Sequence, residues 1–176
     1  WIGYAFINSW NSVFNNEWCT YSSIQMHEVG HNLNLAHSGT QLSSGTTNEY
    51  DDQSGLMGYS YSESDTRMCF NNAKNYQLGW FTDAVATVTK NNIISVSLKG
   101  QVNYQPGVSN QDPVIIRIDV SESTENYYVG FNHKSSYNSD TNEYANKVTI
   151  HRYQGTGYAL SFVEASLGSG QSWNNG

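Results

Sequence analysis

The stretch His27-Glu28-Val29-Gly30-His31-Asn32-Leu33-Asn34-Leu35-Ala36-His37, HEVGHNLNLAH, decides how the chain is read. His27 and His31 are four residues apart, so on a helix they stand one turn apart on one face and can share a metal ion. Glu28 follows the first of them. A carboxylate there can take a proton from a metal-activated water during attack on a carbonyl and later deliver it to the leaving amine. Neutral imidazole ligands leave a zinc ion its positive charge, which lowers the pKa of bound water toward neutrality. His37 is harder to recruit. On a continued helix it would lie about 9 Å beyond His31 along the axis and about 240° around it, far outside a zinc–nitrogen bond of about 2.1 Å. A three-histidine site therefore requires the helix to stop and turn. Asn34 is the expected turning point, because after Gly it is Asn that best tolerates left-handed dihedrals.

Upstream of this motif, WIGYAFINSWNSVF carries two aromatic and β-branched runs around Asn8 to Asn11 and is expected to form two short strands joined by a polar turn. Ser22 and Gln25 fit an S-x-x-Q capping box, with Ile24, Val29 and Leu33 at helical intervals and a stop at Asn32 to Asn34. Downstream, Ser38 to Asp65 reads as a long Ser-, Gly- and Thr-rich loop, a length uncommon without a function. Phe70 to Trp80 (FNNAKNYQLGW) has the spacing of a second helix, with Gly79 near its end. Beyond Thr82 the period changes to two. Ile94, Val96 and Leu98, then Ile116, Ile118 and Val120, then Val129 and Phe131, then Val148 and Ile150 alternate with more polar neighbours, the pattern of an antiparallel sandwich.

HEVGHNLNLAH resembles the metzincin signature HExxHxxGxxH, and Gly55 to Ser60, GLMGYS, resembles the Met-turn that passes beneath the zinc in that clan. QMHEVGHNLNLAHS, DDQSGLMGYS and CFNNAKNYQLGWF together resemble the gametolysin family of algal cell-wall-lysing proteases, over Trp1 to about Phe81 and more weakly beyond. The expected fold is α+β: the resemblance implies residues 1–83 as an N-terminally truncated metzincin-like catalytic domain with active-site helix, Met-turn and C-terminal helix, and the period-two pattern makes residues 84–176 an antiparallel β-sandwich-like accessory domain. It implies a zinc-dependent metalloendopeptidase with Zn2+ on His27, His31 and His37, Glu28 as catalytic base, and Met57 as apolar support under the site. Tyr59, two residues after Met57, has the offset of a tyrosine that approaches the zinc in some metzincins; a packed aromatic is the other reading. Asn34 departs from the usual Gly at a cost of about 1 kcal/mol or less. The implied setting is extracellular, in the cell wall or periplasmic space, with protein or glycoprotein substrates. The competing reading is a cell-wall or carbohydrate-binding module with a structural or inactive zinc site.

A net charge of −7 excludes phosphate-backbone binding, so nucleic acid is set aside as a partner. No apolar run reaches the roughly 18 residues of a membrane span. Charged residues make up only 13% of the chain, a composition more usual in extracellular β-rich proteins. Cys19 and Cys69 are candidates for one disulfide, which would close a loop of about 50 residues and need an oxidising compartment; two unrelated buried thiols are the alternative. His133 and His151 are expected at the surface, and Glu49, Asp51 and Asp52 in a solvated turn. Tyr127, Tyr128, Tyr137, Tyr144, Tyr153 and Tyr158 read either as a sugar-stacking surface or as core and cross-strand partners.

Overall fold

In the computed structural model, which describes residues 1–59, 66–89, 92–120 and 123–174, the N-terminal run forms strands β1 (Gly3–Ala5) and β2 (Ser12–Phe14), paired antiparallel with Tyr4 opposite Val13. Asn8 turns the chain between them with a φ of 51°. Helix α1 (Ser22–Asn32) follows. The expected capping box does not form. Tyr21 is the cap residue and offers no side-chain cap bond, Ser22 is already helical, and the Gln25 amide reaches back to the Cys19 carbonyl. The buried stripe of α1 carries Ser23, Ile24, His27, Glu28, Gly30 and His31. Val29 and Leu33, which the spacing groups with Ile24, stand largely exposed. Polar residues take the inward face of this helix because that face lines a site rather than an apolar core.

The remaining elements are β3 (Ser38–Gln41), β4 (Thr47–Asn48), α2 (Asn72–Gln77), β5 (Val85–Thr89), β6 (Ile115–Asp119), β7 (Asn126–Phe131), β8 (Val148–Tyr153) and β9 (Ser161–Leu167). Among the described residues β3 to β9 form one seven-stranded mixed sheet in the order β4-β3-β9-β8-β7-β6-β5. The architecture is α+β, mostly sheet with few helices, and the described strands beyond residue 84 form a single layer instead of the expected sandwich. β3 pairs parallel with β9, so the sheet runs across the 83/84 boundary expected from the change of period. β5 pairs parallel with β6, and a parallel pair needs a crossover of a dozen or more residues. Ile94, Val96 and Leu98 fall in that return path, form no strand, and leave Ile94 and Val96 exposed. Ser60 and Asp65 of the expected loop, and Ser121 of the expected strand, lie outside the described residues.

α2 takes the place of a second sheet. Asn71 caps it by accepting from the Lys74 amide at 2.9 Å, so it starts later than Phe70, and Gly79, at φ 71°, closes it before Trp80. Ala73 packs with Ala84, Val114, Ile115, Tyr128 and Tyr153. In β7 the face opposite to the expected one is turned inward: Tyr128 is fully buried while Val129 and Phe131 are half-buried. Tyr128 meets Tyr76 of α2 at 4.8 Å between ring centroids, and Gly130 leaves room for the Asn72 amide, which any Cβ there would strike. The inward choice follows from what α2 presents, which strand periodicity alone does not contain.

His151 and Asp52 also differ from expectation. Both are fully buried, and His151 Nε2 lies 3.0 Å from Asp52 Oδ2. Asp52 also accepts from Ser38 Oγ at 2.6 Å, Asn71 Nδ2 at 2.9 Å and the Ser54 amide at 3.1 Å. The Asp52 carboxylate is buried among hydrogen-bond donors, which is how buried charge is tolerated. The cysteines are free. Cys19 is exposed in the turn before α1, whereas Cys69 is tied at its backbone to Leu56 and Asn138 on the sheet side. Burial pushes the Cys69 thiol up to about 12.

Burial alone would raise the Asp52 carboxyl, but His151 and the hydroxyls of Ser38 and Ser54 hold it well below the usual carboxylate range. A carboxyl depressed on folding contributes stability that is complete above its unfolded pKa of about 3.9 and is lost as pH falls toward the folded value. Replacement of Asp52 by Asn is expected to cost about 3–5 kcal/mol at pH 7 in urea unfolding, with the gap to the parent protein narrowing below about pH 4.

Candidate metal centre

The end of α1 sets the geometry. Leu33 is the cap residue and Asn34 adopts φ 69°, the left-handed turn expected of it. The Asn34 amide bonds the His31 carbonyl at 2.9 Å and the Leu35 amide bonds the Gly30 carbonyl at 2.9 Å. This pair of bonds is the Schellman arrangement that satisfies carbonyls at a helix end while reversing the chain. Leu35 then enters a fully buried cluster with Leu56, Met57, Met68 and Phe70, and His37 is returned to the helix face that carries His27 and His31.

The three histidines offer ligand atoms that all lie within 4.8 Å of one another. His27 Nδ1 is 2.7 Å from the Leu56 carbonyl, His31 Nδ1 is 2.8 Å from the Leu35 carbonyl, and His37 Nδ1 is 3.1 Å from Glu49 Oε2. Each of those partners can only accept, so each Nδ1 carries the proton and Nε2 keeps the lone pair that a metal would take. His31 Nε2 and His37 Nε2 stand 3.1 Å apart. With both protons on Nδ1, two lone pairs face each other there, an arrangement that a cation between them relieves. A tetrahedral zinc with bonds of about 2.1 Å would space its nitrogens about 3.4 Å apart. Burial, with His31 and His37 nearby, pulls His27 down to about 3, and burial likewise lowers His31 and His37. The rings are thus neutral at pH 7, the form a metal requires. The residues fit the group: three neutral imidazoles, each oriented through its second nitrogen.

Glu28 is buried beside them and its Oε2 has no hydrogen-bond partner among the described residues. Burial raises its carboxyl to about 7. A Cβ at Gly3 would meet Oε1 at 3.0 Å, so β1 passes directly over the carboxylate. The histidines and Glu28 open into a cleft of about 790 Å³ lined by Trp1, Tyr4, Ile7, Tyr50, Tyr59 and Tyr158 among others. Met57 is buried beneath α1, close enough that a Cβ at Gly30 would overlap its sulfur. Tyr59 lines the cleft at 53% exposure, so it is not a packed core aromatic.

Sequence reading missed several contributors. Glu49, expected in a solvated turn, holds His37. The Tyr50 ring lies 4.0 Å from that of His37, centroid to centroid. Tyr158, in the connection between β8 and β9, brings its ring to 6.0 Å from His31. The carbonyls of Leu35 and Leu56 orient the His31 and His27 rings through the backbone, which no side-chain motif encodes. Asn34→Gly is expected to change stability by less than about 1 kcal/mol. Asn34→Val, which resists positive φ, should cost at least about 1–2 kcal/mol in thermal unfolding and weaken zinc binding in titration.

The family model for gametolysin peptidase M11 matches residues 1–167. No curated protein and no solved structure matches. The match covers the helix, the ligand loop, α2 and every strand of the seven-stranded sheet. The chain belongs to the gametolysin peptidase M11 family.

Proposed function

We propose that the protein is a zinc-dependent metalloendopeptidase that hydrolyses peptide bonds of extracellular or cell-wall proteins and glycoproteins. The observation that carries this reading is the convergence of His27, His31 and His37, each held at Nδ1, beside a buried carboxylate oxygen of Glu28 without a partner among the described residues. Three imidazoles with an open fourth position suit a catalytic zinc. When bound, the ion supplies Lewis acidity that polarises a peptide carbonyl and acidifies water.

The chain's own residues do the remaining work. A peptide lies in the cleft between β1 and the Tyr50 and Tyr158 walls, with its scissile carbonyl over the histidines. Glu28 accepts a proton from the attacking water and returns it to the nitrogen of the leaving amine. Its raised carboxyl suits both steps, because a base near neutrality can take a proton and release it. Tyr59 is the proposed hydrogen-bond donor to the carbonyl oxygen as it gains charge. Met57 fills the space beneath the ligand helix. The family, the 13% charged composition and the polar, tyrosine-rich surface support the extracellular setting. No helix among the described residues is long and apolar enough to cross a membrane. Tyr128 and Tyr153 are buried in the core while Tyr137 and Tyr158 are exposed, so the six tyrosines do not make up one sugar-stacking surface.

Glu28→Gln should lower kcat on a peptide substrate by roughly 10²–10⁴-fold while zinc content, measured by metal analysis, is unchanged. A chelator should abolish cleavage and added zinc restore it. Undiminished cleavage by the zinc-loaded Glu28→Gln variant would overturn the reading.

A further inference from the structure

Gln77 closes α2 at a distance from the cleft, and its side chain does something no other residue of the helix does. Its Nε2 donates to the Asn34 carbonyl at 2.8 Å and to the Gly157 carbonyl at 3.0 Å. Asn34 is the bend that brings His37 back to the site, and the neighbouring Leu35 carbonyl holds His31 Nδ1. Gly157 directly precedes Tyr158, which lines the cleft. Tyr153 Oη donates to the same Gly157 carbonyl at 2.8 Å, and Lys74 Nζ donates to the Ala159 carbonyl at 2.8 Å. The Ser161 amide then bonds the His37 carbonyl at 3.2 Å. The bend and the turn thus approach each other at Gln77, and the amide's two donors span them.

We propose that Gln77 is a positioning residue for the metal centre, fixing the Asn34 bend and the Tyr158 turn as one unit so that His31 and His37 keep their ligating geometry. The inference rests on the metal-site reading above. The chemistry of the position supports it. Both partners are carbonyls, so only a double donor serves, and Gln77 Oε1 is buried with no partner among the described residues. The residue tolerates an unsatisfied acceptor to place its two donors. Loss of a group bonded directly to a metal ligand typically weakens metal affinity 10–100-fold, and Gln77 acts one step further out, through the backbone next to those groups.

The test compares Gln77→Met, which keeps length and removes both donors, with Thr149→Val, which removes the 3.0 Å bond from Asn72 of the same helix but leaves the bend untouched. Zinc affinity is measured by chelator competition, the site's symmetry by the visible spectrum of the cobalt-substituted protein, and stability by thermal unfolding of the metal-free chain. The expected result is a zinc affinity reduced several-fold, up to about 10-fold, in Gln77→Met with a shifted cobalt spectrum, and unchanged affinity and spectrum in Thr149→Val. Gln77→Asn, which keeps the amide but is too short to span both carbonyls, should fall between the two and serves if Gln77→Met does not fold. Parental zinc affinity in Gln77→Met, or in Gln77→Asn where the former is unfolded, would overturn the proposal. So would equal losses in Gln77→Met and Thr149→Val, because the effect would then follow stability alone. Failure of the parent protein to bind zinc would instead overturn the metal-site reading itself.

Discussion

Three imidazole nitrogens have to meet at one point, and a straight helix can bring only two of them there. The left-handed residue Asn34 resolves that constraint, and much of the structure follows from it. The Schellman bonds that end α1 turn the chain back. Leu35 then serves two purposes: its side chain joins the core with Leu56 and Met57, and its carbonyl fixes the His31 ring. Directly after His37 the chain enters β3, whose Ser38 pairs with Ser161 of β9. His37 therefore stands at the junction of helix and sheet, and its position depends on both.

The sheet contributes to the site through a polar core. Asp52, paired with His151 of β8 and bonded to Ser38 and Asn71, anchors the loop whose Leu56 carbonyl orients His27. Gly58 follows so closely on the Asp52 carbonyl that no side chain fits there. The loop is thus folded back on itself and on β3, with the Ser38 amide on the Met57 carbonyl at 2.9 Å. Electrostatics agree with the packing. Burial keeps the imidazoles neutral and raises Glu28 toward neutrality, the states in which imidazoles can take a cation and a carboxylate can exchange a proton. Asp52, in contrast, is kept ionised by its partners.

What could be read in the sequence was what lies close along the chain. The spacing of His27, His31 and His37 led to a helix that must bend, and the bend is at Asn34. The N-terminal hairpin, the second helix and the β6, β7 and β8 runs were legible from local pattern. What was not legible depends on partners distant in the chain. His151 reads as a surface residue on an alternating strand, because its buried partner Asp52 lies on a loop 99 residues earlier. Ile94, Val96 and Leu98 alternate as a strand does, but the parallel pairing of β5 with β6 uses them as a connection. The face of β7 is chosen by Tyr76 and Asn72 of α2, and the cleft wall at Tyr158 by Gln77 and Lys74.

The central claim is that His27, His31 and His37 together ligate one zinc ion through Nε2. X-ray absorption spectroscopy of the zinc-loaded protein tests it most directly, since it counts imidazoles and distinguishes nitrogen or oxygen from sulfur. The expected shell is three imidazole nitrogens and one oxygen at about 2.0–2.1 Å. A shell with two imidazoles or fewer, or one containing sulfur at about 2.3 Å, would contradict it.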